Sequence, residues 1–308
     1  MKAPRRQRVR GPSAMAEPAP TLAVKSFHHP ATGSVSHVVA DHQAHACAIV
    51  DPVLDFDSRS GRVRTDFADA IAAHIHQHDL QAAWILETDL HVDHLSAAQY
   101  LKKALGGGAL VAAGVRVREM QKTLKYLFNL DDAFIPNGAH FDQLFADGDR
   151  FQVGAIELRT LHTPGHTAAA VSYVGEQVAF VGNTVYAPEF GTARTDFSWS
   201  NARALYRSIR RLYALRGDTQ IFSCRDFHAG ARPGRWQSSV LEQRTHNVLL
   251  RDEIAEDAFV QLREIQDRTL ELPALLCPAL QVNMRAGHLP DAEANGIVYF
   301  KLPVNVFR

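Results

Sequence analysis

The segment Glu87-Thr88-Asp89-Leu90-His91-Val92-Asp93-His94-Leu95 packs two histidines and two aspartates into six positions, directly after an apolar run. Imidazole nitrogens and carboxylate oxygens crowded on an irregular loop can face one cation from several directions, as a regular helix or strand cannot. Metal binding is the chemistry this spacing suits. Three further stretches carry groups of use to such a site: HTPGHT (162–167), where a Pro-Gly turn fixes His166, FVGNT (180–184) with Asn183, and SCRDF (223–227) with Cys224 and Arg225. Placed at strand ends, all four stretches could converge.

The elements that must deliver these loops follow from apolar patterning. Residues 22–27, 35–40 and 46–50 read as short strands, and Asp51-Pro52 stops the third. Residues 67–78 repeat apolar positions at helical spacing. Residues 82–86, AAWIL, read as a buried strand that ends on the opening loop. Helices are expected over 95–105 and 117–130, alternating strands over 151–161, and a hairpin of 168–174 with 177–181 around Gly175-Glu176. A basic helix is expected over 201–215, a strand over 220–224, and helices over 240–249 and 256–270. This order predicts a mixed α/β (α+β) chain: an αββα sandwich over residues 21–238, with a helical C-terminal extension, 239–308, packed on the same domain. Residues 1–20 are basic and then Pro/Ala-rich and read as a disordered tail, with Met15 as an alternative start.

The motifs resemble the metallo-β-lactamase superfamily, whose signature T-H-x-H-x-D-H precedes a TPGHT histidine, a bridging aspartate and a final histidine. Within it the likeness is to persulfide dioxygenases of the glyoxalase II branch. It is carried by ILET before the motif, LHTPGHT, GTARTDF (191–197), RDF where that family has HDY, and QVNMRAGHLP (281–290), and runs from about residue 24 to 303. The resemblance implies iron for the dioxygenases, zinc or mixed metals for the hydrolases, and a small thiol or persulfide such as glutathione persulfide as partner.

Against that pattern, Asp89 stands in place of the first histidine, Asn183 in place of the bridging aspartate and Arg225 in place of the last histidine. An arginine keeps its proton and opposes a nearby dication, so a two-metal hydrolase is disfavoured. The resemblance implies a mononuclear site at Asp89, His166 and Asn183, with one divalent metal, iron favoured and zinc as alternative. His91 supplies the missing nitrogen, which restores a two-histidine, one-carboxylate set. Asp93 and His94 are expected to orient ligands or move protons. Arg194, beside Asp196, with Arg225, Tyr186 and Arg285, is expected to contact substrate, and Tyr126 to line the same cleft. The expected activity is sulfur dioxygenation. The alternatives are glyoxalase II-like thioester hydrolysis with one metal, or a metal-free protein in which Asp93 pairs with Arg225 around a small anion or thiol.

The remaining signals are plainer. His74, His76 and His78 fall on a predicted helix and read as solvated surface groups, and His162 as a neighbour of the pocket. Cys47, Cys224 and Cys277 form no CxxC pair, which fits a reducing cytoplasm, and Cys224 reads as a buried thiol. Lys+Arg and Asp+Glu each number 33, which gives no electrostatic footprint for nucleic acid. No apolar run reaches the roughly 18 residues of a membrane span. A homodimer is an open expectation.

Overall fold

The protein is described by a computed structural model over residues 22–227 and 234–307, so the predicted tail, residues 1–20, lies outside the described residues. The first half runs β1 (Leu22–His29), β2 (Ser34–Asp41), β3 (Ala46–Val50), β4 (Val53–Asp57), β5 (Arg62–Arg64), α1 (Asp66–Gln77), β6 (Gln81–Leu86), β7 (Leu95–Ser96), α2 (Ala98–Ala104), β8 (Leu110–Gly114), α3 (Val117–Leu127) and β9 (Gln143–Phe145). The second runs β10 (Arg150–Val153), β11 (Ile156–His162), β12 (Val171–Val174), β13 (Val178–Gly182), α4 (Ala202–Tyr213), β14 (Gln220–Ser223), β15 (Gln237–Ser239), α5 (Val240–His246), α6 (Glu256–Asp267) and α7 (Leu276–Asn283).

Two six-stranded sheets result, in the orders β1-β2-β3-β6-β8-β9 and β10-β11-β12-β13-β14-β15. Side chains alternate across each strand, so every inner strand must be apolar on both faces. In β3, Ala48 and Val50 join Leu86, Phe151, Phe180 and Phe222 between the sheets. Cys47 and Ile49 of the same strand face the other way, toward Ile71 and Ile75 of α1. The continuous run ACAIV therefore serves two cores, and each such Val, Ile or Phe contributes about 1.5–3 kcal/mol on burial. On the far side, Ala179, Val181 and Ile221 pack against Leu212 of α4. That helix opens on Asn201, whose side chain accepts from the Ala204 N–H at 2.8 Å, and keeps Arg203, Arg207 and Arg210 off its buried face. The αββα sandwich expected from the sequence is the observed architecture.

Differences are local. The helix expected over 95–105 begins only at Ala98, because Leu95 and Ser96 pair with Leu54 and Val53 of β4. Helix α7 was not predicted. It packs Leu276, Leu280 and Val282 into the same core as α1.

Pairing is parallel along β3, β6, β8 and β9, and between β13 and β14, so the chain leaves β3, β6, β13 and β14 beside the site loops. Gly182, at the end of β13, adopts φ +55°, and a Cβ there would collide with the Thr88 side chain. Gly182→Ala therefore combines a left-handed backbone with overpacking. It is expected to destabilise the protein by about 2–4 kcal/mol in urea unfolding, and a loss within about 0.5 kcal/mol would contradict this packing.

Candidate metal centre

Asp51, just past β3, is fully buried with φ +51°. Its carboxylate accepts from the Thr88 N–H at 2.8 Å and the Thr88 hydroxyl at 2.7 Å, and pairs with His91 Nε2 at 2.9 Å. Two bonds thus fix the start of the motif loop and the third orients its first histidine. Burial opposes charge on both partners, yet each favours the other's ionised form: the Asp51 carboxyl is lowered and His91 is raised well above the ordinary imidazole value. Asn283 of α7 closes the loop from below, giving its amide to the carbonyls of His91 (2.8 Å) and His94 (2.9 Å) and accepting from the Ser96 N–H (2.8 Å).

His91 Nδ1 faces the Asn183 amide nitrogen at 3.2 Å and Cys224 Sγ at 3.9 Å. Asn183 Oδ1 accepts from Tyr186 OH at 3.2 Å and from the Cys224 thiol at 3.1 Å. Burial pushes the Cys224 thiol up to about 12, in keeping with an inert group. His166 Nδ1 meets the Arg194 carbonyl at 2.9 Å, which leaves Nε2 as its free nitrogen. Asp89 Oδ1 accepts from the Leu90 N–H at 2.7 Å and from the Thr167 hydroxyl. Burial raises the Asp89 carboxyl, with His166 and His91 partly offsetting it.

Arg225 forms an ion pair with Asp93, and its guanidinium carbon lies 4.9 Å from the centre of the Phe227 ring. Burial would raise the Asp93 carboxyl, but the Arg225 charge holds it well below the usual range. His94 stacks on His91 at 4.4 Å and places Nδ1 3.2 Å from Ser34 Oγ. Burial and the His91 charge lower its pKa. A cavity of ≈ 500 Å³ opens onto Asp93, His166, Asn183, Tyr186, Arg194 and Arg225.

Residues 29–223 match the sequence profile of the metallo-beta-lactamase superfamily. The chain belongs to that superfamily. A beta-lactamase hydrolase-like protein of Xylella fastidiosa is 46% identical over 94% of this chain and 66% of its own length, so the chain spans about two thirds of that relative. Glyoxylase B2 of Dictyostelium discoideum is 40% identical over 90% of the chain and 94% of its own length. The mitochondrial persulfide dioxygenase ETHE1 of Homo sapiens is 27% identical over 87% of the chain and 90% of its own length. The crystal structure of ETHE1 from Myxococcus xanthus shares the fold, with a TM-score of 0.68 at 23% identity over 86% of this chain and 100% of that one.

A metallo-beta-lactamase fold implies divalent metal binding, and the side chains here meet that requirement in part. Asp89 Oδ2, Asp93 Oδ1, His94 Nε2 and His166 Nε2 are buried with no hydrogen-bond partner among the described residues. Orphaned carboxylate and imidazole atoms on the motif loop and the TPGHT turn are the kind of group a cation satisfies. Donor atoms of His91, Asp93 and His94 lie within 4.8 Å of one another, as do those of Asp51, His91 and Cys224. No such group among the described residues includes Asp89 or His166. A second metal of the superfamily type does not fit, because Arg225 already occupies Asp93.

The remaining expected residues separate. Arg194 lines the cavity, but its guanidinium is held by Asp196 at 2.7 and 2.6 Å and by the Glu271 carbonyl at 2.6 Å. Arg285 does not reach this cavity and lines another. Tyr126 is 90% exposed on α3, which corrects its placement in the cleft. His162 is half-buried outside the cavity lining. Sequence reasoning missed Asp51, Glu87 and Asn283. An aspartate directly after a buried strand was the available signal for the first, and nothing local marks the third.

Two predictions follow from the charges. Asp93→Asn leaves Arg225 without its carboxylate in a mostly buried position. It is expected to lower stability by about 2–4 kcal/mol at neutral pH in denaturant titration. Glu87, which accepts from the Ser96 hydroxyl, is pushed up from 4.5 to about 8, chiefly by burial and then by Asp51. Between those values the folded state holds a proton that the unfolded chain has lost, so stability falls as pH rises from about 4.5 to about 8. Glu87→Gln should flatten that part of the stability profile, and an unchanged slope would refute the assignment.

Proposed function

We propose that the protein is a mononuclear-metal sulfur dioxygenase that oxidises a small persulfide such as glutathione persulfide, with Asp89, His91 and His166 holding the metal and Asn183 beside it. The observation that carries this reading is the way both rings are held. His91 gives Nε2 to Asp51 and turns Nδ1 to Asn183 and Cys224, while His166 gives Nδ1 to the Arg194 carbonyl and keeps a buried Nε2 with no partner among the described residues, as Asp89 keeps a bare Oδ2. When bound, a divalent metal, iron favoured over zinc, would supply a Lewis-acidic, redox-capable centre for dioxygen chemistry at sulfur.

The chain's own groups supply the rest. Arg225 faces the cavity with 24% of its side chain exposed and offers a cation to a substrate carboxylate, and Phe190, Phe227 and Leu272 give the chamber apolar walls. Tyr186 OH orients Asn183, and His94 Nε2 is free to hold a proton beside Asp93. In the net reaction the persulfide S–S bond breaks, dioxygen and one water give sulfite, and the thiol and two protons are released. The similarity to a persulfide dioxygenase supports this substrate class, and the similarity to a glyoxylase keeps single-metal thioester hydrolysis as its competitor.

One observation favours a second reading, that of a metal-free thiol- or anion-binding protein: Asp93, a ligand in the superfamily pattern, is already neutralised by Arg225. Metal analysis of protein purified without chelator separates the two. The first predicts about one equivalent of iron, lost in Asp89→Ala, and oxygen uptake with glutathione persulfide. Less than about a tenth of an equivalent of iron, zinc or manganese, with glutathione still bound, would establish the second instead.

A further inference from the structure

A second cavity, of ≈ 320 Å³, lies beside the C-terminal end of α7 and shares no lining residue with the first. Arg285 projects into it while only 8% exposed. Its guanidinium gives Nη1 to the Gln281 carbonyl at 2.7 Å and lies 5.0 Å from the centre of the Phe134 ring. Nε and Nη2 have no hydrogen-bond partner among the described residues. Asp131 and Asp291 are near enough to favour its charge, but neither forms an ion pair with it. A mostly buried guanidinium that has no ion pair and keeps some access to the cavity is suited to an anionic group entering it. Beside it His140 stacks on Phe134 at 5.2 Å and carries a buried Nδ1 with no partner among the described residues.

The opposite sign is also present. Asp131, Asp291 and Glu293 line the same cavity, and all three are exposed. A simple anion drawn to Arg285 would meet these carboxylates, and a simple cation drawn to them would meet Arg285. A small molecule bearing both charges satisfies each. The volume sits at the lower end of the roughly 300–1,000 Å³ of ligand pockets, and Phe134 and Leu289 give it an apolar wall.

We propose that this cavity binds a free α-amino acid, its carboxylate on Arg285 and His140, its ammonium group toward Asp131, Asp291 and Glu293, and its side chain against Phe134 and Leu289. The site is independent of the metal centre and of the activity proposed for it.

The test is thermal unfolding of the full chain with each of the twenty common L-amino acids at about 10 mM, followed by calorimetry with the best of them. At least one is expected to raise Tm saturably. Its analogues lacking the amino or the carboxyl group should bind at least about tenfold more weakly. Arg285→Gln should weaken binding by a similar factor, and Asp291→Asn, on the exposed rim, severalfold with no change in Tm of the free protein. No shift with any of the twenty, equal binding of the carboxyl-only analogue, or affinity unchanged in both variants would each overturn the proposal. If Arg285→Gln does not fold, Asp291→Asn decides.

Discussion

The site depends on a single buried carboxylate. Asp51 sits where β3 ends and anchors the first turn of the motif loop through both Thr88 bonds while gripping His91. Charges this far from water persist only when paired and hydrogen-bonded, and the Asp51 carboxylate has three such contacts: the Thr88 N–H, the Thr88 hydroxyl and His91 Nε2. The pair sets the ring plane of His91, His91 stacks on His94, and Asn283 fixes the carbonyls of both. A loop with no regular structure thus gains the rigidity that ligand geometry needs.

The three departures from the superfamily pattern form one electrostatic rearrangement. Asp89 brings a carboxylate to a position where the pattern has a neutral imidazole, and Asn183 removes one where the pattern has an aspartate. In the proposed single-metal set the number of carboxylates is therefore unchanged. Arg225 contributes one positive charge where the pattern would ligate a second dication, and Asp93 answers it. Each change taken alone would leave an unbalanced charge in a buried site; together they do not. This is why the same substitutions that rule out a dinuclear centre are compatible with a mononuclear one.

Much of this was legible in the sequence, and unevenly so. Strands such as ACAIV and AAWIL were readable because both faces pack against a core, which leaves no polar position to confuse the pattern. The helix start at Ala98 was not, because Leu95 and Ser96 are captured by β4, a pairing across some forty residues that no local propensity encodes. The candidate ligands were proposed from their chemistry, their spacing and the family resemblance. Their supports were not: Asn283 acts on a loop about 190 residues away, and its sequence neighbours carry no sign of that task.

Arg285 shows the limit of such reading most sharply. Its motif, QVNMR, belongs to α7 and to the turn after it, and the helix sends alternate residues in different directions. Asn283 reaches the metal loop, and Gln281 and Arg285 face a separate cavity. From the sequence, Arg285 was expected to contact substrate in the same cleft as Arg194 and Arg225. The helical rise and turn divide Arg285 from Asn283, since residues two apart point to roughly opposite sides of a helix. A motif can therefore carry two jobs at once, and only the backbone assigns its residues between them.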